Sequence, residues 1–145
     1  MDTARHPLHP AMVHFPVACW SLATIADLAS PWLGQPAWWL AGVLLVIGTT
    51  VALAAMGAGL FEFARIAEGS PALADARRHM LFAMAAWVLY AASLLLRLQG
   101  TTLVAPAWPA LATSVAGFLC LAATGWLGGK LVYQHGIGGN QGTSE

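Results

Sequence analysis

Five histidines, His6, His9, His14, His79 and His135, are the residues in this sequence best suited to chemistry. Neutral imidazole is the commonest protein ligand for metals, and its second nitrogen needs a partner that fixes the tautomer. Two histidines on facing helices could hold a haem iron between them. Adding Glu62 gives a His/Glu set that would suit zinc or non-haem iron. Imidazole also tolerates a membrane interface. Glu62 and Arg65, three residues apart, would suit a helix-face ion pair as well. Asp27 and Arg97 each lie in otherwise apolar surroundings. Since a membrane-embedded charge normally finds a partner, these two are expected to form a structural ion pair, with a proton or ion relay as the alternative. Cys19 and Cys120 lie in apolar runs without CxxC spacing, which argues against a disulfide framework or a cysteine-based zinc site.

The elements that position these residues follow from where charge is missing. Of the 145 residues, 59% are hydrophobic and 8% charged, against about 25% charged in a soluble domain. Mean hydropathy is +0.69. Equal numbers of acidic and basic residues give zero formal charge, so no global field attracts nucleic acid. Asp, Glu, Lys and Arg are absent from 6–26, 28–61, 79–96 and 98–129. A spanning helix needs about 20 apolar residues. The two longer runs are too short for two spans each and open with Pro/Trp-marked segments, 30–36 and 105–109. The pattern predicts an all-α, polytopic integral membrane protein: one domain over 1–145, a bundle of four transmembrane helices at about 12–29, 38–63, 78–97 and 108–133. A cleaved signal peptide is the competing reading of the first segment. His14 and Pro16 within the apolar stretch, Asp27 near its end and the lack of a small-x-small cleavage site favour a retained helix.

Arg5, Arg65, Arg77, Arg78 and Lys130 fall on one side of such a bundle and Arg97 on the other. The positive-inside rule then puts both termini in the cytoplasm, with Trp32, Trp38, Trp39 and Trp108 in the outer aromatic belt. All five histidines lie at the inner end. His14 and His79, opening the first and third helices at similar depth, are expected to face each other across the interior, with His135 or His9 close by and Glu62 or a carbonyl orienting one ring. Gly125 and Gly129, Gly48 and Ala52, and Ala55 and Gly59 are spaced for close helix approach. Packing inside the bundle is the primary expectation, a homodimer face the alternative.

The segments His6-Pro-Leu-His9-Pro-Ala-Met-Val-His14-Phe-Pro16 and Gly125-Trp-Leu-Gly-Gly-Lys-Leu-Val-Tyr133-Gln-His135-Gly136 resemble the two end motifs of a four-helix bacterial family described only as a predicted membrane protein, a domain of unknown function. The resemblance spans nearly the whole chain. It implies an acidic residue in the first helix, another ending the second and a histidine opening the third, positions matched by Asp27, Glu62 and His79. Members sometimes joined to Rieske-type iron–sulfur domains imply redox company. The primary functional expectation is therefore a bacterial inner-membrane protein binding b-type haem through His14 and His79, with His135 and His9 in support, for electron exchange with a redox partner or quinone. The alternatives are a metal protein using His14, His79, Glu62 and His135 with zinc or iron, and a structural or accessory membrane subunit without a cofactor. A carrier normally needs polar groups near the midplane, and it is disfavoured because between their ends the helices are expected to offer only Thr, Ser, Cys and Trp polarity. Neither GxSxG nor HExxH occurs, which disfavours a stand-alone hydrolytic enzyme.

Overall fold

Four apolar segments, each long enough to satisfy its own backbone hydrogen bonds in lipid, become four helices. In the computed structural model, which describes residues 8–136 and side chains from residue 12 onward, these are α1 (Leu8–Leu33), α2 (Gln35–Phe63), α3 (Ala72–Leu95) and α4 (Trp108–His135). A short antiparallel hairpin, β1 (Leu98–Gln99) and β2 (Thr102–Leu103), turns at Gly100 between α3 and α4. All four helices contain a stretch long and apolar enough to cross a membrane. Helices of 24 to 29 residues are about 36 to 44 Å long at about 1.5 Å per residue. That exceeds a hydrocarbon core of about 30 Å, so the spans tilt or project into the headgroup layer.

The helices run up and down in chain order. α1 packs broadly on α2 and α3 on α4, and narrower α1–α4 and α2–α3 seams close the square. Side-chain size is graded from inside to outside. The interior is dominated by alanines, among them Ala23, Ala41, Ala52 and Ala86, around Trp20, Leu45 and Tyr90. Large apolar residues such as Ile25, Leu53, Leu81 and Leu119 face outward. Lipid is as apolar as leucine, so these helices associate through close packing and interior polar bonds, not through burial of bulky side chains. The fold is an all-α, polytopic membrane bundle.

The observed boundaries depart from the sequence expectation at the start of α1, which begins at Leu8 and not at 12, and in three further places. The segment 30–36 is not a loop: α1 continues through Pro31 to Leu33, Pro36 lies in the first turn of α2, and the turn is Gly34 alone. Gly34 has φ 69° and donates its N–H to the Ser30 carbonyl at 2.8 Å. A side chain would be strained at that positive φ. α3 starts six residues before the expected 78, at Ala72 after Ser70-Pro71. Proline suits the start of a helix because its missing N–H would be unpaired there anyway. The hairpin is the third departure. Leu103 packs so close to Gly42 that an added Cβ would lie 2.8 Å from Leu103 Cδ1.

The small-residue faces divide as well. Gly48 seats the Trp20 side chain, with Trp20 Cδ1 2.9 Å from the position of an added Cβ, and Ala52 and Ala55 are buried. Among the described residues, Gly125 and Gly129 of α4 have no neighbour within 4 Å of an added Cβ. That pair was expected inside the bundle. It lies outside because the buried stripe of α4 runs through Ala110, Ser114, Gly117, Leu121 and Leu131, and the two glycines fall to one side of it.

Candidate functional site

Polar side chains in the interior form three groups along the bundle axis. At the hairpin end, Asp27 near the end of α1 meets Arg97, just past α3. Arg97 Nη1 donates to Asp27 Oδ1 at 2.7 Å and Nη2 to Oδ2 at 2.8 Å. Two further guanidinium donors, on Nη2 and Nε, reach the Ser93 hydroxyl at 2.9 Å and the Ser93 carbonyl at 3.1 Å. Ser93 Oγ in turn donates to the Ala110 carbonyl of α4 at 2.7 Å. Asp27 is 1% exposed and Arg97 0%. The planar guanidinium fork matches a carboxylate edge to edge, so one pair ties α1 to α3, and Ser93 extends the tie to α4. The expected Asp27–Arg97 pair is thus present, bidentate and buried.

At mid-bundle, Thr24 Oγ1 lies 3.0 Å from the Tyr90 hydroxyl and 3.2 Å from Ser114 Oγ, joining α1, α3 and α4. The Tyr90 ring stacks on Trp20 with centroids 4.8 Å apart. It lies against Gly117, where an added Cβ would be 3.1 Å from the ring. On the α2 side, Trp20 Nε1 donates to Thr49 Oγ1 at 3.4 Å and Trp87 Nε1 to the Thr49 carbonyl at 3.1 Å. No buried side-chain nitrogen or oxygen among the described residues lacks a hydrogen-bond partner.

At the termini end, α3 and α4 are joined by His79 and Asp75. His79 Nδ1 is 3.0 Å from the Thr124 carbonyl. A carbonyl only accepts, so Nδ1 carries a proton. Gly128 leaves room for the ring, an added Cβ being 3.3 Å from His79 Cε1. One turn earlier, Asp75 accepts from Lys130 Nζ at 2.8 Å and His135 Nε2 at 3.1 Å, with Arg78 Nη1 3.6 Å away. The Asp75 side chain is 8% exposed. This cluster closes the end of the α3–α4 pair.

The expected histidine site is not assembled in the way the sequence suggested. His14 is exposed, where its ring was expected to point inward. The buried residues of α1 include Pro16, Trp20, Ala23 and Asp27, a stripe with helical spacing. His14 precedes Pro16 by two residues, about 200° around the axis at 3.6 residues per turn, and so falls on the opposite face. His79 is on the buried stripe of α3. His135 bonds to Asp75. Glu62 is half-buried at the end of α2, and the Arg65 guanidinium lies 4.1 Å over the Phe61 ring instead of pairing with Glu62. Among the described residues no group of three His, Cys, Asp or Glu side chains is arranged to hold a metal ion. His6 and the His9 side chain lie outside the described residues.

Asp75, the bond from Lys130 to it and the Thr24–Tyr90–Ser114 group are not among the candidates the sequence offers. Asp75 falls between the expected second and third helices, in a segment whose charges suggest a loop. The signal that could have found it is Ser70-Pro71, a helix-start signature that puts an acidic residue in the first turn. The hydroxyl group had a fainter signal: Thr24, Tyr90 and Ser114 share a helix face with the alanines that line the interior.

No curated protein and no solved structure matches the chain. A family model does, over residues 5–141, and its description is a predicted membrane protein, DUF2231. Four membrane-length helices, a small-residue interior and that match over nearly the whole length agree with one another, and the chain belongs to the DUF2231 family of predicted membrane proteins.

Proposed function

We propose that this chain is an accessory, structural subunit of a bacterial inner-membrane assembly, with both termini in the cytoplasm and no catalytic role of its own. The observation that supports this reading is how the interior polar groups are used. Asp27–Arg97–Ser93, Thr24–Tyr90–Ser114 and Asp75–Lys130–His135 each bond one helix to another. Side chains committed in this way make a rigid body that offers its outer faces to lipid and partners. The test is gentle extraction of membranes from cells that make the protein, followed by native electrophoresis and mass spectrometry of the band. The expected result is co-migration with other membrane chains in a fixed ratio. A chain that migrates alone in every mild detergent would sink the proposal.

A second reading, b-type haem or a metal ion for exchange with a redox partner or quinone, is favoured by one observation. The Nδ1–H of His79 is held by a backbone carbonyl, the kind of partner that orients ligand imidazoles. His79 is then the first ligand to test. An absorption spectrum and metal analysis of the purified protein decide it: a Soret band or stoichiometric iron or zinc, lost on His79→Ala, would establish this reading.

A further inference from the structure

The outward face of α4 at the termini end carries a groove of about 410 Å³ lined by Gly125, Trp126, Gly129, Lys130, Tyr133 and Gln134. Its polarity changes along the helix axis. Gly125, Trp126 and Gly129 make an apolar stretch, and Lys130, Tyr133 and Gln134 follow toward the helix end. Trp126 is 79% exposed and Tyr133 90%, rings with an apolar body and a polar tip that suit the headgroup level of a bilayer. Charge is unbalanced at the polar end. Lys130 and Arg78 share the single carboxylate of Asp75, at 2.8 and 3.6 Å, and α4 contains no Asp or Glu.

We propose that this groove binds an anionic phospholipid, its phosphate against Lys130 and an acyl chain along Gly125 and Gly129, with Arg78, on the other side of Asp75, adding to the positive charge nearby. The groove reproduces the tail-to-head gradient of a lipid within a few turns of helix. Lys130 has three donor hydrogens and can serve a phosphate without leaving Asp75. Basic side chains at the membrane boundary attract anionic headgroups. A second copy of the chain fits this face less well. In a two-fold pair each residue near the axis meets its own copy, so two clusters in which Lys130 and Arg78 share one Asp75, each with net positive charge, would face each other. The inference is independent of the accessory-subunit reading.

The experiment is native mass spectrometry of the full-length protein in detergent, with equal amounts of phosphatidylglycerol and phosphatidylcholine carrying the same acyl chains. Preferential retention of phosphatidylglycerol is expected. Lys130→Gln should weaken that retention about fivefold, the effect of one basic side chain near a lipid surface, and leave phosphatidylcholine unchanged. Because Lys130→Gln also removes a partner of Asp75, Gly129→Leu is the second variant. It fills the groove where no described residue lies within 4 Å of an added Cβ, so it should reduce retention without changing the thermal stability of the lipid-free protein. Equal retention of the two lipids, or a phosphatidylglycerol preference that survives both variants, overturns the proposal. So does a dimer, formed without lipid preference, that Gly129→Leu disrupts, because the groove would then belong to a second copy.

Discussion

A carboxylate and a guanidinium removed from water each lose several kcal/mol of solvation, and only good geometry with further hydrogen bonds restores it. Asp27 and Arg97 have both: a bidentate contact and three guanidinium nitrogens engaged. Asp27→Asn or Arg97→Met alone should therefore cost about 3–5 kcal/mol, the usual loss when one member of a buried pair is left behind. The double variant should lose less than the sum of the two. Unfolding by sodium dodecyl sulfate titration measures all three, and strictly additive losses would mean the two charges do not stabilise each other. This pair was legible in the sequence because no other charge lay on its side of the bundle. Asp75 was not, since a cation-rich segment reads as loop until the helix start at Ala72 is known. Asp75→Asn should loosen the end of α4 by weakening its hold on Lys130 and His135. Limited trypsin digestion followed by intact mass should then show faster cleavage after Lys130, and an unchanged rate would show that other contacts hold that end. The exposure of His14 was hidden for a different reason: α1 is apolar around most of its circumference, so its sequence does not single out the buried face.

Helices were legible at the level of elements because a charge-free, apolar stretch of about 20 residues matches the thickness of a bilayer and is rare outside one. Their ends were not, because proline and tryptophan suggested loops where the membrane permits helix. Pro31 lies inside α1 and Pro36 opens α2, as proline in membrane helices can when neighbours restore the freed backbone bonds. Glycine spacing was also ambiguous: Gly48–Ala52 and Gly125–Gly129 look alike in sequence and differ in what they face. The structure predicts opposite responses. Gly48→Val would press on Trp20 and Cys19, where even a Cβ finds atoms at 2.9 to 3.0 Å, and force α1 from α2. Overpacking of this kind costs about 1–3 kcal/mol. Gly125→Ala meets open space and gains the better helix propensity of alanine. Thermal unfolding in detergent should place Gly48→Val well below the parent and Gly125→Ala at or slightly above it. The reverse order would mean that α2 and not α4 presents the open face.

Across the whole molecule, the direction of insertion follows from how the basic residues are divided between the two ends. Arg97 is the only basic residue expected at the hairpin end, and in the folded protein it is 0% exposed and neutralised by Asp27. At the opposite end, Arg65, Arg77 and Arg78 are exposed, and Lys130 keeps part of its side chain in contact with the surroundings. The cation asymmetry between the two ends is thus sharper in the folded protein than in the sequence. Orientation is set during insertion, by basic residues in short loops and near the span ends. The turn at Gly34 and the hairpin at Gly100 are exposed, short and free of permanent charge beyond that pair, whereas the 64–71 connection carries Arg65 and Glu68. Both termini and the 64–71 connection should therefore lie in the cytoplasm, with Gly34 and Gly100 on the far side. The native cysteines are both in the spans, Cys19 buried and Cys120 half-buried, so both are replaced by Ala before single cysteines are introduced at Gln99, Glu68 and Gln134. In intact cells a membrane-impermeant maleimide should label the Gln99 position and leave the other two unlabelled until the membrane is permeabilised. Labelling at Glu68 or Gln134 in intact cells would reverse the topology and move the exposed arginines, the Asp75 cluster and the α4 groove to the outer face.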